Sequence, residues 1–128
     1  SSEEFDSVIA CTGFELAHPF FDKNFLNYTE GPVPLYLKMF HAEYDNLYFI
    51  GMFQPLGCIW PGAEQQSILA TLALKGLWER PSNMKTLCER EVTNPHMKQI
   101  NTNRHRITVD FHQFLKDLKK QIKKVKKT

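Results

Sequence analysis

Apolar and polar positions change rhythm several times along this chain. Near the start, Val8, Ile9, Ala10 and Cys11 form a continuous apolar run, which predicts a strand over Ser7 to Cys11 buried on both faces, as in parallel sheets. Thr12-Gly13 turns it. Such a strand needs neighbours on both sides, and nothing before it supplies them. The pattern therefore reads as the continuation of a sheet whose other strands lie upstream. The stretch from His18 to Pro34 reads as loop, with one helical turn near Phe21 to Phe25. Two further strands are expected at Leu35 to His41 and, more strongly, at Asn46 to Met52, the second entered through a turn at Asp45-Asn46.

Helical spacing takes over from there. A helix is expected from Ala63 to about Trp78, and its later half, "ILATLALKGLW", is apolar nearly all round, which predicts burial. A second runs from Asn83 to about Glu91, capped by Pro81-Ser82 and ended by Asn94-Pro95, with a further helical turn near His96 to Ile100. A short strand is expected at Ile107 to Val109. Asp110 is placed as the N-cap of a last helix whose apolar residues Phe111, Phe114, Leu115, Leu118, Ile122 and Val125 keep helical spacing. Few strands with several helices make the fold class α/β.

Composition changes this picture little. A chain of 128 residues holds one domain with a sizeable core, and 42% hydrophobic residues with ten Phe exclude overall disorder. Cys11, Cys58 and Cys88 are odd in number and far apart, without a CxxC. No HExxH or other metal spacing joins the five histidines, so neither a disulfide framework nor a metal site is expected. The acidic start is the wrong order for a signal peptide, and no apolar run approaches the ~20 residues that span a bilayer. A reducing, cytoplasmic setting is the expectation.

The stretch "FIGMFQPLGCIWPGAEQQS", Phe49 to Ser67, stands out as a nearly uncharged strand–loop–helix junction. Gly51, Gly57 and Gly62 would allow close backbone approach of a ligand, Pro55 and Pro61 would fix the loop, and Gln54 can both donate and accept. The helix start would add N–H groups and a partial positive charge. The same features serve an ordinary connection between elements, with Trp60 in the core, Glu64 answering the helix dipole in the first turn and Gln65 and Gln66 facing solvent. Cys58 reads as small packing, since no Lys, Arg or His lies beside it in sequence.

Four segments in order, "VIACTGF", "NLYFIGMFQPLGCIWPGAEQQS", "LKGLWERPS" and "RHRITVDFHQFLKDL", resemble the C-terminal quarter of the flavin-containing monooxygenases over Ser7 to about Gln121. Cys11 and Phe14 stand where that family has alanine and tyrosine. The resemblance implies a C-terminal fragment of a flavoprotein with two dinucleotide-binding domains. Residues 1–45 would be the end of the NADP-domain region and the return connection. Residues 46–128 would be the C-terminal part of the FAD-domain region, ending in a Lys-rich amphipathic helix. It further implies an FAD- and NADPH-dependent enzyme that oxygenates sulfides and amines through a C4a-hydroperoxyflavin. The family's GxGxxG fingerprints are absent, so the chain alone is expected to be inactive and to depend on upstream FAD- and NADP-binding parts.

The residues the resemblance places near cofactor are Thr12 and Gly13 at the domain junction, Gln54, Pro55, Leu56, Gly57, Pro61 and Glu64 at the isoalloxazine ring, and Arg104 beside His105 at an NADPH phosphate. None is expected to be catalytic. A small-molecule substrate, no nucleic acid, no integral membrane segment and self-association of the isolated chain complete the expectations. Two alternatives stay open: a Baeyer–Villiger or N-hydroxylating relative, and a non-catalytic module acting through its lysine helix. The last ten residues carry six lysines and no acid.

Overall fold

Pro61 and a Gly-terminated apolar run define the longest helix among the described residues. In a computed structural model that describes residues 3–13, 17–22, 25, 33–94 and 107–125, α1 spans Trp60–Leu74 with Pro61 in its first turn, where a missing N–H costs nothing. Gly76, at φ +68, ends it. The Gly76 N–H bonds the Ala73 carbonyl at 2.9 Å and the Leu77 N–H bonds that of Leu72 at 2.9 Å, the paired closure of a Schellman motif. The reversal delivers Trp78 into the core, where it stacks on Phe40 with ring centroids 4.8 Å apart.

The second helix, α2, covers Met84–Thr93 and buries Met84, Cys88 and Glu91, one stripe at helical spacing. The last, α3, covers Phe111–Ile122 and buries Phe114, Leu118 and Gln121. The Asp110 carboxylate accepts from the Gln113 N–H at 3.1 Å, the N-cap its sequence position predicts. α1 packs against α3. α2 instead meets the turn at 36–40: the Cys88 thiol lies 3.4 Å from the Phe40 carbonyl oxygen, and Glu91 pairs with Lys38.

The expected strands are not formed. Among the described residues there are three helices and isolated bridges only, Tyr36 to Phe40, Phe40 to Tyr48 and Gln54 to Thr108. At Ser7 to Cys11 the run lies open, with Val8 and Ile9 84% and 85% exposed, because a ladder needs a partner strand and no described residue offers one. At Leu35 to His41 the alternation folds back on itself. Leu37 and Lys38 take left-handed backbone, φ 53 and 56, closing a turn in which the Tyr36 and Phe40 backbones bond each other. At Asn46 to Met52 pairing stops after Tyr48, and Gly51 at φ +81 turns the chain. The short strand expected at Ile107 to Val109 is reduced to one parallel bridge. The Gln54 N–H reaches the Ile107 carbonyl at 2.7 Å, and the Val109 N–H reaches that of Gln54 at 3.1 Å.

The main core joins Met39, Phe40, Phe53, Leu69, Trp78, Met84, Cys88, Phe114 and Leu118. A smaller cluster gathers Val33, Leu35, Phe49 and Met52 with Phe21 and Phe25. Near the helical turn expected at Phe21 to Phe25, the Phe21 N–H bonds the His18 carbonyl and the Phe25 N–H that of Asp22, while residues 23–24 lie outside the described residues. The helical turn expected at His96 to Ile100 lies outside the described residues.

Candidate functional site

The loop from Gly51 to Ile59 crosses the start of α1 and is held there from beneath. The Gln66 amide, fully buried, accepts the Gly51 N–H at 2.8 Å and donates to the Leu37 carbonyl at 3.1 Å. One side chain therefore ties α1, the loop base and the 36–40 turn together. Gln66 is not the solvent-facing residue its neighbours suggest; its partners lie 15 and 29 residues away, and no local pattern carries that information. Phe53 anchors the loop by packing on Phe114, ring centroids 4.6 Å apart.

Gly62 has a structural reason of its own. A Cβ there would stand 2.3 Å from Cζ of Phe53, so the glycine admits the Phe53 ring rather than a ligand. Gly57 is the opposite case. It sits at φ +122 with nothing within 4 Å of the space a Cβ would fill. Around it the loop is open and apolar: Leu56 is 94% and Trp60 75% exposed, Pro55 is half-buried, and Gln54 and Pro61 turn outward. Trp60 is therefore surface, not core.

Gln54, Pro55, Leu56, Gly57 and Pro61 share this loop and helix start, and Gln54 keeps its side chain exposed while its backbone is used in the bridge to residues 107–109. Glu64 is exposed and falls in the second turn of α1, since the helix begins at Trp60 rather than Ala63. Pro61 has no N–H, and those of Gly62 and Ala63 both reach the Ile59 carbonyl at 3.1 Å, so the helix start offers fewer donors than its sequence suggests. Thr12 and Gly13 lie exposed in the open N-terminal segment. Arg104 and His105 lie outside the described residues. Cys58 is exposed rather than packed, as is Cys11.

Elsewhere the scaffold holds two charged contacts that sequence reading passed over. Arg80 donates to the carbonyls of His41 and Ala42, the latter at 3.0 Å, and pairs with Asp45 at 2.9 Å. Lys38, 1% exposed, faces Glu91 at 3.5 Å, and neither contact atom makes a hydrogen bond among the described residues. Burial pushes the Lys38 amine below its usual range, with Glu91 opposing the shift. The Cys88 thiol is likewise pushed up by burial, away from thiolate reactivity. No cluster of His, Cys, Asp and Glu suited to a metal occurs among the described residues, and no helix there is long and apolar enough to cross a membrane.

An apolar, glycine-opened loop at a helix start, carried on a core of aromatic rings, is how these residues are arranged, and the chain's relatives share its sequence. Residues 1–127 match the family described as Flavin-binding monooxygenase-like, and the chain belongs to that family. It is 34% identical over 113 residues to Flavin-containing monooxygenase 5 of Rattus norvegicus, covering 85% of this chain and 21% of the relative. Against the same-named protein of Oryctolagus cuniculus it is 32% identical over 120 residues, 91% of this chain and 22% of the other. Dimethylaniline monooxygenase (N-oxide-forming) 2 of Rattus norvegicus is 34% identical over 89 residues, 68% and 17%. The chain thus spans about a fifth of the length of the curated relatives it matches. No solved structure matches it.

Proposed function

We propose that this chain is the C-terminal part of an FAD- and NADPH-dependent monooxygenase that oxygenates soft nucleophiles, sulfides and tertiary amines, and that it lends the enzyme one wall of its flavin site. The observation that carries the reading is the exposed apolar loop formed by Leu56, Gly57 and Trp60, pinned from below by Gln66. Apolar side chains so exposed on a firmly tied loop favour a covering partner. The open space at Gly57 suits a flat ring approaching the backbone. The name of one relative, dimethylaniline monooxygenase (N-oxide-forming) 2, supports an amine substrate.

The residues fit the ring of a flavin and not its pyrophosphate. Leu56, Pro55 and Trp60 would cover the ring and exclude water, Gln54 would hydrogen-bond its polar edge, and the Trp60 N–H at the helix start would face developing negative charge. Pyrophosphate would need a Gly-rich turn with free N–H groups, and the chain has no GxGxxG. When bound, flavin reduced by NADPH supplies the activation of dioxygen. The exposed apolar residues of α1, Ile68 and Leu74, would pack on the FAD-binding part, and Thr12 and Gly13 would border the NADP-binding part. Arg104 is proposed at an NADPH phosphate on sequence grounds alone.

The test is NADPH oxidation by the full-length protein. A dialkyl sulfide or tertiary amine should stimulate NADPH-dependent oxygen uptake and yield sulfoxide or N-oxide. Conversion of a ketone to an ester without either product would instead favour a Baeyer–Villiger enzyme. A protein that binds no flavin would end the proposal.

A further inference from the structure

Leu37 and Lys38 are the two central residues of a tight turn, closed by a bond from the Met39 N–H to the Tyr36 carbonyl at 3.2 Å. Both hold left-handed backbone, φ 53 and 56. A turn with two positive φ values in a row is the kind that Asn-Gly ordinarily fills. Side chains such as Leu and Lys enter that region uphill and stay there only where their surroundings demand it. Here Leu37 is buried in the core, and Lys38, buried as well, faces Glu91 of α2 at 3.5 Å. That pair is a poor source of stability, because its contact atoms make no hydrogen bond among the described residues to offset their removal from water. It does impose direction: the turn must aim Lys38 at α2 or leave a buried charge unpaired.

The Leu37 carbonyl belongs to the peptide unit between these two residues, so their torsions set where it points. It accepts the Gln66 amide at 3.1 Å, and Gln66 in turn accepts the Gly51 N–H at 2.8 Å. We propose that Lys38 and Glu91 are positioning residues for the flavin-facing loop: the pair holds the Leu37–Lys38 peptide in place, and Gln66 passes that placement to Gly51 at the loop base. The functional meaning rests on the flavin site proposed above; the relay lies wholly within this chain. Its contacts are contiguous, and its movable element is the turn, left-handed while the charges are paired and free to relax once they are gone.

The experiment is hydrogen exchange at the Gly51 amide of the full-length protein, resolved by overlapping peptides in mass spectrometry, with the amides of α3 as the control. Lys38→Met with Glu91→Leu removes both charges and keeps an apolar fit. Gly51 should then exchange at least about tenfold faster than in wild type while α3 is unchanged, a local opening rather than global unfolding. Gln66→Met, which deletes the bond itself, sets the upper limit. If the double variant does not fold, Glu91→Gln carries the same expectation, read as Gly51 exchange relative to α3. Unchanged exchange at Gly51, or acceleration shared equally with α3, would overturn the inference. This readout needs no flavin. Faster exchange at Gly51, found together with a flavin spectrum that does not respond to Leu56→Asp, would support the relay and overturn the flavin reading alone.

Discussion

The ring of Phe53 occupies the space that a side chain at Gly62 would need, with Cζ 2.3 Å from the position of a Cβ. Alanine in a helix is ordinarily worth about 1 kcal/mol over glycine. Here the sign reverses. Gly62→Ala should destabilise the protein by about 1–3 kcal/mol through overpacking, read as a lower urea midpoint at unchanged slope. Adding Phe53→Leu should recover part of that loss.

Gln66 makes a second prediction. Gln66→Met keeps the volume and leaves the Gly51 N–H and the Leu37 carbonyl without their partner. Two orphaned groups should cost about 2–4 kcal/mol in chemical denaturation. A surface glutamine would cost less than about 0.5 kcal/mol.

The buried pair Lys38 and Glu91 behaves as a unit. Glu91→Gln leaves an ammonium group buried without its counter-charge and should cost about 3 kcal/mol. Replacing both, as Lys38→Met with Glu91→Leu, should restore stability to within about 1 kcal/mol of wild type, because the desolvation of both charges disappears. A double-mutant cycle measures the coupling.

His41 makes the fold acid-sensitive. Its Nδ1 accepts the Glu43 N–H at 3.1 Å and the Tyr44 N–H at 3.4 Å, and its ring stacks on Phe25. Burial lowers its pKa below 6.5, Arg80 adds to that, and Glu43 opposes it. The unfolded chain therefore takes up the proton first. The contribution is fully present above about pH 6.5 and is lost as pH falls through the lower folded value. His41→Gln should flatten the pH dependence of the urea midpoint over that range.

How much of this was legible depended on the range of the interactions. The helices were, because Asp110 marks a start locally and Phe111, Phe114 and Leu118 keep one face. α1 nonetheless lies at Trp60–Leu74 rather than at the expected Ala63 to Trp78, Gly76 ending it where the apolar run continues. Strands were not, since pairing depends on distant partners: Val8 and Ile9 have the right residues and no described neighbour, while the alternation at Leu35 to His41 conceals a turn at Leu37 and Lys38. The loop from Gln54 to Gly57 was visible as a glycine- and proline-rich junction. The tie of Gln66 to the loop base was not, nor were the Arg80 and Lys38–Glu91 contacts elsewhere in the scaffold, because each of these joins residues far apart in sequence.

Leu56 offers the most direct test of the flavin-site reading. At 94% exposure it makes little contact within this chain, so Leu56→Asp should leave folding stability within about 0.5 kcal/mol. The measurement is the visible absorption spectrum and flavin content of full-length wild-type and Leu56→Asp proteins, with circular dichroism as the folding control. A flavin-bearing wild type, and a folded variant that loses flavin or shifts its absorption bands, is the predicted result. Identical spectra and flavin content in both proteins would contradict the placement of this loop at the cofactor.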